Sequence, residues 1–143
     1  MKKAETIAKA FLCLNQPEVG DGISNLKLQK LLYYAQGFSM AAYGEPLFKE
    51  DVVAWEHGPV VVEVYEKYKK NGSNYIPSDT CPASLTTDEK NLIQSIWNVY
   101  GQFSAWKLRD MTHNEIPWLN TKRNQIIPQE RMVSYFKDLV VSK

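Results

Sequence analysis

Two short stretches of the chain carry the residue types that could do acid–base or metal chemistry. They are Glu56-His57 and His113-x-Glu115. Histidine is the usual general base and a common metal ligand, and an adjacent carboxylate can tune either role. Neither histidine belongs to a helix-spaced ligand pair such as HExxH. A site of two histidines and one carboxylate therefore requires the fold to bring two distant stretches together.

A structural role for the same residues is the alternative interpretation, and it is the favoured one. Buried polar groups must find hydrogen-bond partners, so a hydrogen-bonded corner needs no catalytic purpose. In that case His57 orders the turn before Gly58-Pro59. His113 and Glu115 then satisfy buried backbone groups around Pro117-Trp118.

The sequence shows no other signature of catalysis. It has no GxSxG nucleophile, no phosphate-binding glycine loop and no supported Cys–His pair. Cys13 and Cys81 are too few and too isolated for a disulfide framework or a thiolate metal site. Cys13 lies between two leucines in an amphipathic segment, which predicts a buried, inert thiol. We therefore expect a protein that is not an enzyme and that has no catalytic, cofactor-binding or metal-binding residues.

Basic residues form two strips at helical spacing. One contains Lys27, Lys30 and Tyr34, and the other contains the lysines of residues 67–70. A basic strip beside an aromatic side chain can bind phosphate backbones, although such strips are more commonly solvated faces. The 17 basic and 16 acidic side chains leave a net charge of +1. This balance argues against a general affinity for nucleic acid, but it is compatible with a local basic patch.

A long helix after Ser24 must position most of these residues. Ser24 is a suitable N-cap, and Gly44 stands where a left-handed residue ends a helix. Gly37 lies inside this helix, where glycine costs about 1 kcal/mol relative to alanine. We therefore expect another helix to approach closely at Gly37. A mostly apolar stripe recurs at helical spacing along the predicted helix: Leu28, Leu31, Leu32, Ala35, Phe38, Ser39 and Ala42.

Five further segments have helical periodicity or capping residues, and one has strand character. Leu47 to Glu56 is the strand-like segment, broken at Gly58-Pro59, with Pro59 in the first turn of the next helix. Ser73 to Ser84 is predicted to be a loop, and the most mobile or partner-adapted part. The helices are predicted at Ala4 to Leu14, after Pro59, after the Thr86 capping box, after Ser104 until Pro117, and from about Gln129 to Val141.

These elements predict a mainly α fold. We expect residues 1–143 to form a single compact domain of about six helices with a small antiparallel β-hairpin, since no strand–helix alternation is present. Hydrophobic residues make up 44% and charged residues 23% of the chain, as in ordinary globular proteins. No apolar run is long enough for a membrane helix and no signal core follows Met1, so a cytoplasmic location is predicted.

Two motifs resemble those of a known family. The run LKLQKLLYYAQGFSMAAYGEPLF followed by VAWEHGPVV is similar to the opening half of the SocA-like antitoxins, the Panacea-domain family. Phage-associated GepA-type proteins also belong to that family. The later run MTHNEIPW, from Met111 to Trp118, resembles the family's other signature.

The resemblance implies an antitoxin of a bacterial or prophage toxin–antitoxin pair, which neutralises a protein toxin by direct stoichiometric binding. The toxin would be encoded by an adjacent gene. A DNA-binding regulator of its own operon and a metal-dependent hydrolase are the alternatives. Exposed tryptophan or tyrosine side chains would be strong anchors for a protein partner. The motif residues expected to be structural or partner-binding are Lys27, Lys30, Tyr34, Trp55, His57, Gly58, Pro59, His113, Glu115, Pro117 and Trp118.

Overall fold

Helix α2 (Asn25–Tyr43) is the element on which most of the protein packs. The structure is a computed structural model that describes residues 1–15, 22–77 and 80–141. The Ser24 side chain accepts a hydrogen bond from the Lys27 amide at 3.3 Å and caps the start of α2. Gly44 ends it with φ of 77°, a conformation that favours glycine. Both predicted ends of the central helix are confirmed.

The other elements follow the predicted mainly α order. The described part of the chain also contains a single antiparallel hairpin, and the fold class is confirmed. The remaining elements are α1 (Ala4–Leu14), β1 (Val53–Trp55), β2 (Gly58–Val60), α3 (Val62–Tyr68) with a short 3-10 turn (Lys69–Asn71), α4 (Thr87–Tyr100), α5 (Ala105–His113), α6 (Ile116–Leu119) and α7 (Gln129–Val141).

Helix α2 is buried on nearly all sides, so it is not the amphipathic helix that the apolar stripe predicted. Polar residues on its other faces are covered as well, among them Gln29 and Gln36. Gln36 accepts hydrogen bonds from the amides of Leu47 and Phe48 and donates to the Phe48 carbonyl. Gln29 accepts from the Val61 amide at 2.9 Å. These side chains satisfy backbone groups of the segments that wrap around the helix.

Helix α7 lies directly against Gly37. A Cβ atom at that position would collide with the ring of Phe136, which is fully buried. The close approach of another helix that Gly37 predicts is therefore confirmed. The ring of Phe136 also contacts Tyr33 and Phe38, with ring centroids 5.4 and 5.0 Å apart.

Two predicted boundaries are wrong. Gly58 and Pro59 lie inside strand β2, where they pair with Trp55 and Ala54, so the turn is Glu56-His57 and Pro59 does not begin a helix. The positive φ of this connection lies at Gly58, with φ of 114°, a backbone conformation that residues other than glycine rarely adopt. Pro117 does not end α5 either. It lies in the first turn of α6, where its missing amide hydrogen costs nothing.

Cys13 and Cys81 form a disulfide, with their Cα atoms 5.1 Å apart. The prediction that Cys13 is an inert buried thiol is therefore wrong. The two residues are 68 positions apart in the chain, and their spacing carries no signal of pairing. The bond fastens the predicted 73–84 loop to α1, and the Ile76 amide also donates to the Ile23 carbonyl at 2.8 Å. Residues 78 and 79 of this loop lie outside the described residues.

Among the described residues, the helices are too short or too polar for any of them to cross a bilayer.

Candidate functional site

The two motif regions, distant in sequence, meet in space. The indole Nε1 of Trp118 in α6 donates to the backbone carbonyl of Trp55 in β1 at 2.7 Å. The ring of His113 stacks on Trp118 with centroids 4.0 Å apart and planes 3° apart. His113 also forms a hydrogen bond with the backbone of Glu56. The α5–α6 corner is therefore fastened to the hairpin turn.

The two histidines do not join a common site with Glu115. His57 lies exposed on the turn, where its Nδ1 accepts from Arg109 Nε at 3.1 Å. Burial and then the positive charges of Arg109 and Lys30 lower the pKa of His113. No group of three or more potential metal ligands occurs in the part of the chain that the structure describes. The arrangement gives no support to a site of two histidines and one carboxylate.

Glu115 is the centre of a buried tyrosine cluster. Its carboxylate accepts hydrogen bonds from the hydroxyls of Tyr33 at 3.0 Å and Tyr34 at 2.8 Å, and from Tyr135. Burial raises the pKa of Glu115 to about 7, although the three hydroxyls act in the opposite direction. The sequence led us to expect backbone partners for this side chain. Its hydrogen-bond partners are instead the hydroxyl groups of tyrosines on α2 and α7.

Lys30 is fully buried, contrary to the solvated face that its spacing predicted. Its ammonium donates to the Pro59 carbonyl at 3.1 Å. A Cβ atom at Gly58 would lie 2.6 Å from Lys30 Cε and 2.9 Å from Thr112 Oγ1, so only glycine fits above this lysine. Burial and the charge of Arg109 lower the pKa of Lys30 to about 7. Burial thus favours the neutral amine, as it does for any lysine removed from water.

Lys27 is also buried, with 4% of its surface exposed. Its ammonium donates to the Gly101 carbonyl at 2.7 Å and lies 5.5 Å from the ring centroid of Trp97. The first basic strip of the sequence is therefore an internal feature. The second strip is exposed, as predicted, and Lys69 pairs with Glu66 at 2.6 Å.

A cavity of about 760 Å³ lies beside this corner, between the start of α2, the hairpin turn, α3 and the start of α5. Both buried lysines line it. Trp106 and Tyr75 stand at its edge with 60% and 57% of their surfaces exposed. Arg109 lies 5.0 Å from the ring centroid of Trp106, a cation–π contact. We refer to this cavity as the basic cavity.

The motif residues fall into four neighbouring places. Lys27, Lys30, Trp55 and His57 line the basic cavity. The others form its supporting structure: Gly58 and Pro59 in β2, Tyr34 and Glu115 in the tyrosine cluster, and His113, Pro117 and Trp118 at the α5–α6 corner.

Sequence reasoning did not identify Arg109 or Trp106. Arg109 lies four positions before His113 on α5, so both face the hairpin turn. The four-residue spacing from His113 was the signal in the sequence that could have placed Arg109 beside the hairpin turn. Nothing in the sequence distinguishes the exposed Trp106 from the three other tryptophans, because exposure depends on the assembled fold.

Replacing Trp118 by phenylalanine tests the junction between the motifs. Trp118→Phe keeps an aromatic ring but removes the Nε1 hydrogen bond to the Trp55 carbonyl. We expect the free energy of unfolding to fall by about 1–2 kcal/mol in denaturant titrations, because a partly buried acceptor loses its partner. Trp106→Phe is the matched control and should change stability by less than about 0.5 kcal/mol. Equal losses in both variants would contradict a structural role for this bond.

Comparison with known proteins adds evidence of a different kind. The family described as Antitoxin SocA-like, Panacea domain, matches residues 28–119, which is well over half of the chain. Antitoxin SocA of Caulobacter vibrioides (strain NA1000 / CB15N) is 48% identical over 54 residues. That alignment covers 38% of this chain and only 29% of the relative's length. No solved structure matches the chain.

Proposed function

This chain belongs to the SocA-like antitoxin family with the Panacea domain, and from that premise we propose that it neutralises a protein toxin by direct stoichiometric binding. Membership of an antitoxin family gives no reason to expect catalytic activity. The observation that carries the proposal is the exposed aromatic edge of the basic cavity, formed by Trp106 and Tyr75.

The chemistry of that edge suits a protein partner. Tryptophan, tyrosine and arginine are the side chains that most often dominate binding energy in protein interfaces. Trp106 and Arg109 contact each other, and His57 lies 6.1 Å from Trp106 between ring centroids. The contact with Arg109 already restricts the Trp106 side chain, so Trp106 would lose less conformational entropy when it binds a partner. The edge is therefore a preorganised anchor.

We infer that neutralisation works by masking. The antitoxin would cover the active or target-binding surface of the toxin, with the toxin encoded by an adjacent gene. A masking partner needs a stable surface and no reacting groups. The hydrogen bonds of Glu115 to Tyr34 and of Trp118 to the Trp55 carbonyl link α2, α6 and the hairpin, which supports a stable surface.

The alternatives receive less support from the described residues. Lys27 and Lys30 are internal, so they cannot displace counterions along a nucleic-acid backbone. His57, His113 and Glu115 each have different hydrogen-bond partners, which gives no support to a metal-dependent hydrolase. Neither a regulator of transcription nor an enzyme is proposed.

Growth rescue of cells that express the adjacent gene product tests the proposal. Wild-type protein should restore growth and co-purify with the toxin at a fixed ratio. His57→Gln and His113→Gln should still rescue when folded, because masking needs no general base or metal ligand. Loss of rescue in a histidine variant with unchanged stability and unchanged toxin affinity would mean that chemistry is involved.

The aromatic edge is tested by Trp106→Ala in the same assay. Toxin affinity should fall by roughly 30-fold or more, as for an interface hot spot worth about 2 kcal/mol. The matched control is Tyr43→Ala, because Tyr43 is 49% exposed at the far end of α2. That variant should bind within about twofold of wild type. Equal affinity of both variants would show that the toxin binds a different face.

A further inference from the structure

The segment that carries Tyr75 to the edge of the basic cavity is held by a hydrogen bond and by a disulfide. Next to Tyr75, the Ile76 amide donates to the Ile23 carbonyl at 2.8 Å. Further along the segment, Cys81 is bonded to Cys13 in the last turn of α1. The hydrogen bond needs no reagent to open and close, whereas the disulfide opens only when a thiol reacts with it.

Tyr75 packs closely against the chain just before α2. A Cβ atom at Gly22 would lie 2.6 Å from Tyr75 Cγ, so the ring rests directly on the backbone there. Ile76 is 3% exposed and anchors the segment, while 57% of the Tyr75 surface remains open to a partner. A displacement of this segment would therefore move the Tyr75 ring away from the edge of the basic cavity.

Cys81 is the accessible end of the disulfide. It is an exposed residue, whereas Cys13 is partly buried in α1. Thiol–disulfide exchange begins at the sulfur that an attacking thiolate can reach. Because the chain has two cysteines and both are in this bond, no other thiol of the protein competes for the exchange.

We propose that Cys81 is a site of exchange with low-molecular-weight thiols, and that opening its bond to Cys13 weakens partner binding by releasing Tyr75 from the aromatic edge. A small thiolate attacks Cys81 Sγ, forms a mixed disulfide and releases Cys13 as a thiolate. A second small thiolate then attacks the non-protein sulfur, which leaves two protein thiolates, protonated by water, and one small disulfide. The reverse steps, begun by a disulfide such as oxidised glutathione, close the bond.

The closed bond restricts the segment because Ile76 lies only a few positions before Cys81. A short length of chain cannot carry Ile76 far while Cys81 remains attached to α1. After the bond opens, a partner must order the segment again when it binds, and this ordering costs affinity. The bond also spans 68 positions of the chain, so its loss should lower the melting temperature by roughly 10 °C.

The exchange is tested on the purified protein without a toxin. Protein equilibrated with reduced and oxidised glutathione is trapped by alkylation, and its thiols and mixed disulfides are identified by mass spectrometry. We expect both thiols in excess reduced glutathione and neither in excess oxidised glutathione, with the trapped mixed disulfide at Cys81. A bond that stays closed in excess reduced glutathione, or a mixed disulfide at Cys13 instead, would overturn the exchange site.

Amide NMR spectra of the two redox states test the release of Tyr75. The signals of Tyr75 and Ile76 should shift or broaden on reduction, because the hydrogen bond to Ile23 is loosened. The Ala54 amide is the internal control, since it donates to the Gln125 carbonyl at 2.9 Å and should keep its position. Unchanged Tyr75 and Ile76 signals would contradict the release. Collapse of the whole spectrum would show that the bond is a structural crosslink and not a switch.

Toxin affinity in both redox states tests the effect on binding, which rests on the proposed function. Reduction should weaken binding by wild-type protein about five- to tenfold. Cys81→Ser should bind like reduced wild type, with or without a reductant. In Tyr75→Ala, reduction should change affinity by less than about twofold, because the released side chain is already absent.

Equal toxin affinity of oxidised and reduced wild-type protein would overturn the effect on binding. The absence of toxin binding in both states would contradict the proposed function, and this effect with it. The exchange at Cys81 and the release of Tyr75 are decided by the two measurements that contain no toxin, so the failure of one proposal is distinguishable from the failure of the other.

Discussion

Phe136→Ala is expected to lower the free energy of unfolding by about 3–5 kcal/mol, the usual loss for truncating a fully buried aromatic side chain. Phe136 has no exposed surface, and its ring fills the space that Gly37 leaves open on α2. It also contacts Tyr34, with centroids 6.1 Å apart. Removal of the ring leaves a cavity between α2 and α7 that rigid helices cannot close.

Urea titration monitored by circular dichroism measures this loss. The control is Val99→Ala on α4, because Val99 is 42% exposed. It should change the free energy of unfolding by no more than about 0.5 kcal/mol. A loss below about 1 kcal/mol for Phe136→Ala would show that the contact between α7 and α2 does not stabilise the fold.

The second large effect concerns the pH dependence of stability. The pKa of Glu115 rises from its ordinary value of 4.5 to about 7 in the folded protein. The folded state therefore holds this proton more tightly than the unfolded chain. Protonation of Glu115 therefore stabilises the folded state. This contribution is complete below the unfolded pKa of 4.5 and is lost as pH rises through about 7. At about 1.4 kcal/mol for each pKa unit, the loss amounts to roughly 3 kcal/mol.

Glu115→Gln should abolish this loss while it keeps an oxygen that accepts from the tyrosines. The quantity to measure is the difference in unfolding free energy between variant and wild type from about pH 4 to pH 8. Because His113 and Lys30 are present in both proteins, their own titrations cancel in that difference. Glu130→Gln, an exposed change on α7, should follow the wild-type profile. Parallel profiles for all three proteins would contradict the raised pKa of Glu115.

Local signals in the sequence predicted the helices well. Ser24 caps α2, and Thr86 with Glu89 forms the capping box at the start of α4. These motifs act over three or four residues, so they can be identified without knowledge of the fold. Gly37 differs from these local signals because it predicted a contact with a residue far away in the sequence. A glycine inside a helix indicated a distant contact, and Phe136 provides it.

Burial and long-range pairing could not be predicted in the same way. Lys30 and Lys27 have the spacing of a solvent-exposed strip, but α2 is covered on that face by the hairpin and by the segment near Gly101. The disulfide between Cys13 and Cys81 likewise depends on where a loop passes over α1. Such contacts are set by topology, which residue spacing does not encode.

The motif residues could be identified from the sequence, but their geometry could not. The motif residues do come together, and Trp118 bonds to the carbonyl of Trp55. Their individual partners were not predictable, because Glu115 bonds to tyrosines that the motifs had not placed beside it. The most exposed aromatic group, Trp106, lies outside both motif runs that carried the family resemblance.

The packing of α7 on α2 has a consequence for synthesis on the ribosome. Among the described elements, α7 emerges last, whereas the helix that it covers emerges second. Until Phe136 leaves the exit tunnel, the apolar surface around Gly37 lacks its cover and is open to chaperones and proteases. Translation that stops before α7 would therefore yield a chain in which this surface stays exposed. Burial of α2 would be complete only after Phe136 has left the exit tunnel and packed against Gly37.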